Sequence, residues 1–392
     1  FLIICLLLFF SCGKKDGKES SSQKNINGSS KKVVETPKYG GEISIFTRSS
    51  FETLDPIEAV DSESLKITAN IFDTLVIYSD EKKTVEPGLA ESWELSESGL
   101  EWTFKIREGV KFHDGEELSA ESVKFNFERW ADPKNSYNKE SFYYWKWMFG
   151  GAPGILKSVE VIDKYRLKVR LKIKFAPFLT ILSMANFGIS SPAAIEKSGA
   201  DYSKQPVGTG PFKFEKQDKT DEVVLSENSS YWRGRPYLDR IIFKKLANIT
   251  LLKTEILANN ITIADGLPDM VMKEIKKSGY PTVKLESPTM DIAYIAMNTM
   301  KNPFNNETVR KAIMLSINRE EMLKTVYDGK GAVLRGVVPD RILDKGAPET
   351  EKQYDIERAK KLLKKIGYNS TQELKIWIVD SARPYLSRPR IA

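Results

Sequence analysis

The sequence predicts a mixed α/β fold, α+β in its irregular order, built from more than one structural unit. Three observations lead there. At 392 residues the chain exceeds what one hydrophobic core ordinarily organises. Several short segments alternate apolar and polar residues with period two, and others repeat apolar residues at helical spacing behind a capping residue. Hydrophobic residues make up 41% and charged residues 29%, the values of an ordinary folded domain rather than of a disordered or membrane-spanning chain.

The first ten residues, Phe1 to Phe10, are wholly apolar. Ten helical residues reach about half of a hydrocarbon core of roughly 30 Å, so a spanning helix is not expected. Residues 1–11 read instead as part of the apolar region of an export signal, lacking its basic start and initiator Met. The only two cysteines are Cys5 and Cys12. Cys12 invites four readings: a core thiol, half of a disulfide, a metal ligand or an attachment point. The tract behind it, "GKKDGKESSSQKNINGSSKK", has almost no apolar residue with which to build a core, and its composition is that of a solvated tether. As a coil, the 26 residues from Gly13 to Lys38 reach about 28 Å. "FFSC" resembles the bacterial lipobox, which implies diacylation of Cys12 and a lipidated tether over residues 12–38. Cleavage there would leave one cysteine and no internal disulfide, which does not contradict export because a long chain can build a core unstapled.

The net charge of +7 bears on nucleic-acid binding only if it is concentrated on the body. From Gly13 to Lys38 seven lysines face three acidic residues, so most of the excess lies in the tether. Without a basic stripe interleaved with aromatics, the body is not expected to bind nucleic acid.

Within the body, "LEWTFKIREGVKF" alternates Trp102, Phe104 and Ile106 with Thr103, Lys105 and Arg107, a strand with one buried face. "VEVIDKYRLKVRLK" predicts a hairpin turning at Asp163 and Lys164, with Leu167, Val169 and Leu171 on its apolar side. "SAESVKFNFERW" predicts a helix capped by Ser119, with Val123, Phe127 and Trp130 on its inner face. "DIERAKKLLKKIGY" predicts another, capped by Asp355 and stopped by Gly367, with a stripe of Ile356, Ala359, Leu363 and Ile366. No internal repeat is visible.

Catalytic chemistry is sparse. His113, in "KFHDGEEL", is the only histidine and reads as part of a turn after a strand; neither zinc-ligand spacing nor a "GXSXG" elbow occurs. "VGTGPF" at Val207 to Phe212 resembles a phosphate loop but lacks the Walker lysine and the GxGxxG spacing, and Pro211 removes an N–H, so it reads as a turn. No enzyme activity, cofactor or metal is expected.

The blocks together point further. "LDP" at Leu54 to Pro56, the stretch Glu86 to Trp130, "PVGTGPFKFEK" at Pro206 to Lys216, "YW" at Tyr231 and Trp232, Met297 to Leu323 and Tyr354 to Tyr368 fall in the order seen in one family. The chain resembles the extracytoplasmic solute-binding proteins of peptide-type ABC importers, family 5, the dipeptide, oligopeptide and nickel binders. The resemblance implies a two-lobed fold like that of type II periplasmic binding proteins, with an extra inserted domain, closing over ligand. The first lobe, including the insertion, would span 39–286. The second would begin at 287 and remain incomplete at Ala392, which makes the chain truncated.

"LKIWIVDSARPYLSRPRIA" resembles the dipeptide-binding branch, which sets Arg383 against the ligand's carboxylate and Tyr385 beside it. A guanidinium suits that role because its planar fork gives a carboxylate two parallel bonds. "RSSFETLDP" matches a ligand-touching loop and makes Ser50 and Phe51 further candidates. The expected protein is a lipid-anchored, monomeric, non-catalytic receptor outside the cytoplasmic membrane that hands short peptides to an ABC permease. The alternatives are the same scaffold binding a nickel chelate, haem or an oligopeptide, and a surface lipoprotein with an adhesion role.

Overall fold

The computed structural model describes residues 37–218, 222–246, 248–265, 267, 269–282, 292–327, 329, 331–334, 336, 338–339, 354–368 and 373–376. Cys12 and most of the tether, Arg383 and Tyr385 lie outside the described residues. The strands are β1 (Glu42–Thr47), β2 (Val76–Ser79), β3 (Thr84–Pro87), β4 (Ala90–Leu95), β5 (Glu101–Ile106), β6 (Leu156–Asp163), β7 (Arg166–Leu171), β8 (Phe212–Gln217), β9 (Val223–Glu227) and β10 (Arg240–Lys245). The helices are α1 (Ser62–Ile71), α2 (Ala120–Ala131), α3 (Tyr143–Phe149), α4 (Phe178–Leu182), α5 (Pro192–Ser198), α6 (Ile249–Leu257), α7 (Asp269–Lys277), α8 (Glu307–Ser316), α9 (Arg319–Tyr327) and α10 (Ile356–Lys365). The chain divides between Tyr280 and Pro281 into two compact units.

In the first unit the period-two segments form an antiparallel sheet ordered β4-β5-β7-β6, with Trp102, Phe104, Ile106, Leu167, Val169 and Leu171 buried on its inner side. The expected hairpin turns between Asp163 and Arg166, where the Tyr165 N–H donates to Asp163 Oδ1. Helix α2 begins where Ser119 and Ser122 form a reciprocal capping box, and its Val123, Phe127 and Trp130 are buried. They enter an aromatic cluster with Trp145, Phe149, Phe178 and Phe187, in which Phe127 meets Trp145 edge to face at 6.3 Å.

The second sheet of this unit runs β1-β10-β9-β8, with β1 parallel to β10 and the remaining pairs antiparallel. One apolar cluster joins α1 to it through Ile67, Ile71, Leu225, Ile241 and Phe243; a separate one joins Phe46 to α6 and α7 through Leu252, Ile256, Val271 and Ile275. The sheet is therefore covered on both faces, which accounts for the near-continuous apolar reading of "VVL" and "RIIF".

Polar bonds tie the elements of this unit together. The Asp55 carboxylate of the "LDP" segment is buried against Arg129 of α2. Asn126 of α2 exchanges bonds with the backbone of Ser190, at 2.9 and 3.0 Å.

The second unit is described through α8, α9 and α10. Ala312 and Leu315 of α8 pack on Ala359 of α10, with Leu362 and Leu363 at the margin. Asp355 caps α10 by accepting from Arg358, and Gly367 takes φ +63 after its end, where a residue with a side chain is strained. The expected stripe on α10 is only partly covered: Ala359 is buried, whereas Ile356 and Ile366 at its two ends stay exposed. Among the described residues no helix is long and apolar enough to cross a membrane.

Candidate functional site

Three segments of the first unit end at one place. β1 and β10 run parallel with Thr47 opposite Lys245, and Ile263 bridges in parallel to Ile45 on the other side of β1. Ligands of open α/β sheets bind beyond the carboxyl ends of such strands. Here the chain leaves β1 through Arg48, Ser49, Ser50 and Phe51 and passes over the start of α1.

The loop is held by its own sequence. Ser64 Oγ accepts from the Glu52 and Thr53 N–H groups at 3.0 and 3.1 Å, and Asp61 caps α1 by accepting from the Ser64 N–H at 2.7 Å. Thr53 donates to Glu58. Ser50 is exposed, and its Oγ accepts from Lys245 Nζ at 2.6 Å. Phe51 is half-buried against the apolar cluster of α1, so the two residues that the resemblance singles out divide into a polar group facing out and an aromatic anchor facing in.

On the other side of β1, Lys66 Nζ lies 3.1 Å from Glu63 and 2.7 Å from Asp265. Burial pushes the Glu63 carboxyl above the usual carboxylate range, with Lys66 acting against the shift. The strand ends thus carry Lys245 with Ser50 on one flank and a lysine between two carboxylates on the other. Such an arrangement offers complementary charge and hydrogen bonds to a zwitterionic ligand.

"VGTGPF" has a different task. Gly208 and Gly210 sit directly on the end of α1, the Gly210 N–H donating to Ile71 O at 2.8 Å. Thr209 donates to Asp73 Oδ2, as does Trp232 Nε1, and the Tyr231 hydroxyl donates to Asp73 Oδ1, each at 2.9 Å. The "YW" block and the glycine turn therefore converge on one carboxylate that the sequence reading missed. Burial raises the Asp73 pKa against these three donated bonds, which favour the charged form. The Trp232 ring lies 4.5 Å from the guanidinium carbons of both Arg107 and Arg233.

His113 lies in the expected turn and serves the same junction. Its N–H donates to Gly208 O, and its Nε2 lies 3.0 Å from Gly210 O, which fixes the proton on Nε2. Buried Nδ1 has no hydrogen-bond partner among the described residues, and burial lowers the pKa to about 4. An open hollow of about 440 Å³ beside α2, walled by Glu116, Glu121, Glu128 and Glu196, shares no residue with the strand-end cluster. No group of three or more His, Cys, Asp or Glu side chains is placed to hold a metal among the described residues.

A mixed α/β fold with polar groups gathered beyond parallel strand ends is shared with binding proteins of the periplasmic type. The Helicobacter pylori periplasmic binding protein DppA, in complex with the peptide STSA, matches with a TM-score of 0.71 and 31% identity over 85% of this chain and 67% of that one. The family model for bacterial extracellular solute-binding proteins, family 5, matches residues 84–392, and the chain belongs to that family. Curated relatives include the Escherichia coli (strain K12) glutathione-binding protein GsiB, 32% identical over 339 residues, 86% of this chain and 63% of the relative. Haem-binding protein A of Haemophilus influenzae is 33% identical, over 82% of this chain and 60% of its own length. The chain thus spans less than two thirds of these relatives. Both relatives are binding proteins, one for glutathione and one for haem.

Proposed function

We propose that the chain is the ligand-capturing part of a peptide-type ABC importer: a non-catalytic, monomeric receptor, held outside the cytoplasmic membrane by acylated Cys12, that delivers short peptides to its permease. Family membership over residues 84–392 carries the reading. Peptide as the ligand class is supported by the ligands of two relatives, glutathione and the peptide STSA, and by the opposed charges at the strand ends. The first lobe would comprise residues 39–286 and contribute Ser50 and Phe51, while the second, from 287, would contribute Arg383 and Tyr385 to the ligand's carboxylate. The extra apolar and lipid-linked length before Tyr39 would serve as signal and leash.

The haem-binding relative favours a second reading on the same scaffold. Thermal melting of the intact protein with dipeptides, glutathione and haem separates the two. A peptide at 100 times its dissociation constant is expected to stabilise the protein by about 2.7 kcal/mol, and Arg383→Ala to weaken peptide binding roughly ten- to a hundredfold. A shift with haem alone would replace the peptide reading. Absence of any shift would favour an adhesion role.

A further inference from the structure

We infer that the outer face of α3, where Tyr143, Tyr144 and Trp147 meet, docks on an anionic lipid surface, with Lys146 and Lys172 facing the headgroups. This goes beyond the receptor reading and rests only on its membrane-anchored part. Five of the seven residues of α3, "YYWKWMF", are aromatic. A helix that is apolar all round needs cover on every side. The inner side has it: Trp145 and Phe149 are each 1% exposed and lie in the aromatic cluster behind α2. The outer side does not, since Trp147 stays 64% and Tyr143 45% exposed. Those two rings stack at 5.5 Å and 20°, and Tyr144 meets Trp147 edge to face at 5.5 Å. The three form one platform rather than scattered surface aromatics.

The chemistry of the platform selects its occupant. Tyr and Trp each join an apolar body to a polar tip, which suits the boundary between acyl chains and water. The charges beside them are lysines. Lys146, in the middle of α3, donates to Glu140 O at 2.9 Å, and Lys172 donates to Gly154 O at 2.7 Å. Gly154 belongs to the turn that closes α3, in which the Gly151 N–H donates to Lys146 O and the Ile155 N–H to Phe149 O. Both ammonium groups thus rest on neutral carbonyl oxygens and have no carboxylate partner among the described residues, which leaves their charge for phosphates. Lysine is depleted at the core of protein–protein interfaces, whereas lysines whose stems lie along aromatic surface are the pattern of membrane-facing patches. A tether of about 28 Å from an acylated Cys12 would hold this face near a bilayer, so that even a weak contact is populated.

The test is sedimentation of the full chain carrying Cys12→Ser, which cannot be acylated, with vesicles of equal phosphatidylglycerol and phosphatidylcholine and with vesicles of phosphatidylcholine alone. The apolar leader and the lysine-rich tether are common to all variants, so the face is read from the differences between them. On anionic vesicles Trp147→Ala is expected to lower partitioning about tenfold and Lys172→Gln about fivefold, each variant first shown to melt as a folded protein. Added salt should erase the Lys172 difference and leave part of the Trp147 one. Equal partitioning of the parent chain and the double variant Tyr143→Ala with Trp147→Ala overturns the assignment, as does a Lys172→Gln loss of equal size on neutral vesicles. A chain that ignores pure lipid but is retained by vesicles bearing the permease gives the face to a protein partner and overturns it as well. Peptide calorimetry on the same samples reads the receptor separately: vesicle binding without peptide binding removes the receptor reading alone, and the reverse removes this one alone.

Discussion

Arg129 directs both terminal nitrogens of its guanidinium at the two oxygens of Asp55, a residue 74 positions earlier and fully buried. Its Nε donates to Tyr137 O, and the Phe142 ring lies 4.9 Å from the guanidinium carbon. The pair ties the "LDP" segment, just after the Ser50 loop, to α2. A buried pair adds little over apolar packing, yet losing one partner strands a charge in the core. Arg129→Met is expected to cost about 3 to 5 kcal/mol in denaturant unfolding. The double variant Arg129→Met with Asp55→Asn, which removes the stranded charge, should recover part of that loss. Strict additivity of the two single effects would argue that the pair does not act as a unit.

The Asp73 carboxylate makes a different prediction because all three of its side-chain partners donate to it. Asp73→Asn replaces one carboxylate oxygen by an amide N–H and removes the charge, so at least one of the bonds donated by Thr209, Tyr231 and Trp232 is lost or reversed and the rest are weakened. A loss of about 1 to 3 kcal/mol is expected. Trp232→Phe should also destabilise, by removing one of these bonds and a ring that two arginines flank. Full stability of Asp73→Asn in chemical denaturation would show that the three bonds are not what holds the junction.

What was legible in the sequence was local. The strand at Trp102 to Ile106 and the helix behind Ser119 each announce themselves within about a dozen residues, by period and by cap, and both stand where expected. The glycine block was legible as a turn but not as a brace, because its reason lies in Ile71 and Asp73, more than 130 positions away. Asp73 itself carries no signal: a lone aspartate in "IFDTL" acquires its role only when Thr209, Tyr231 and Trp232 fold onto it. Lys245 was equally silent, since its meeting with Ser50 depends on parallel pairing across 195 positions. Ser50 and Phe51 came from family resemblance, and tertiary packing gives them opposite surroundings, one exposed and one half-buried.

The glycines at 208 and 210 are required by close approach rather than by an unusual φ. A Cβ at Gly208 would lie 2.3 Å from Ile71 O, and one at Gly210 would lie 2.6 Å from Ile71 O and 2.7 Å from Asn70 O. These neighbours are backbone atoms at the end of a helix and cannot swing aside as a side chain would. Gly210→Ala is expected to lower stability by about 2 to 3 kcal/mol. Gly234→Ala is the contrasting case: there a Cβ meets nothing within 4 Å, but φ is +99. It should cost only the backbone strain, about 1 to 2 kcal/mol. Thermal melts that ranked Gly234→Ala as the more damaging would contradict the close-approach account.

His113 links this junction to pH. Its folded pKa of about 4 lies below the unfolded value of 6.5, because burial opposes the charged ring and Nδ1 has no acceptor for a second proton. Between those values the unfolded chain binds more protons than the folded one, so stability falls as pH falls from about 6.5 toward 4. The full span corresponds to up to about 3 kcal/mol. Asp73 and Glu63 act with the opposite sign: burial raises their folded pKa values, so their contributions weaken as pH rises from the unfolded values through the raised folded ones. Substitution at position 113 leaves those two carboxyl groups in place, so the difference between wild type and variant over the window from pH 6.5 to about 4 reads the histidine. His113→Gln keeps an N–H that can donate to Gly210 O but cannot take up a proton, and is expected to flatten the pH dependence of unfolding free energy across that window. An unchanged slope in His113→Gln would assign the acid sensitivity to another group and remove His113 from the pH response of the fold.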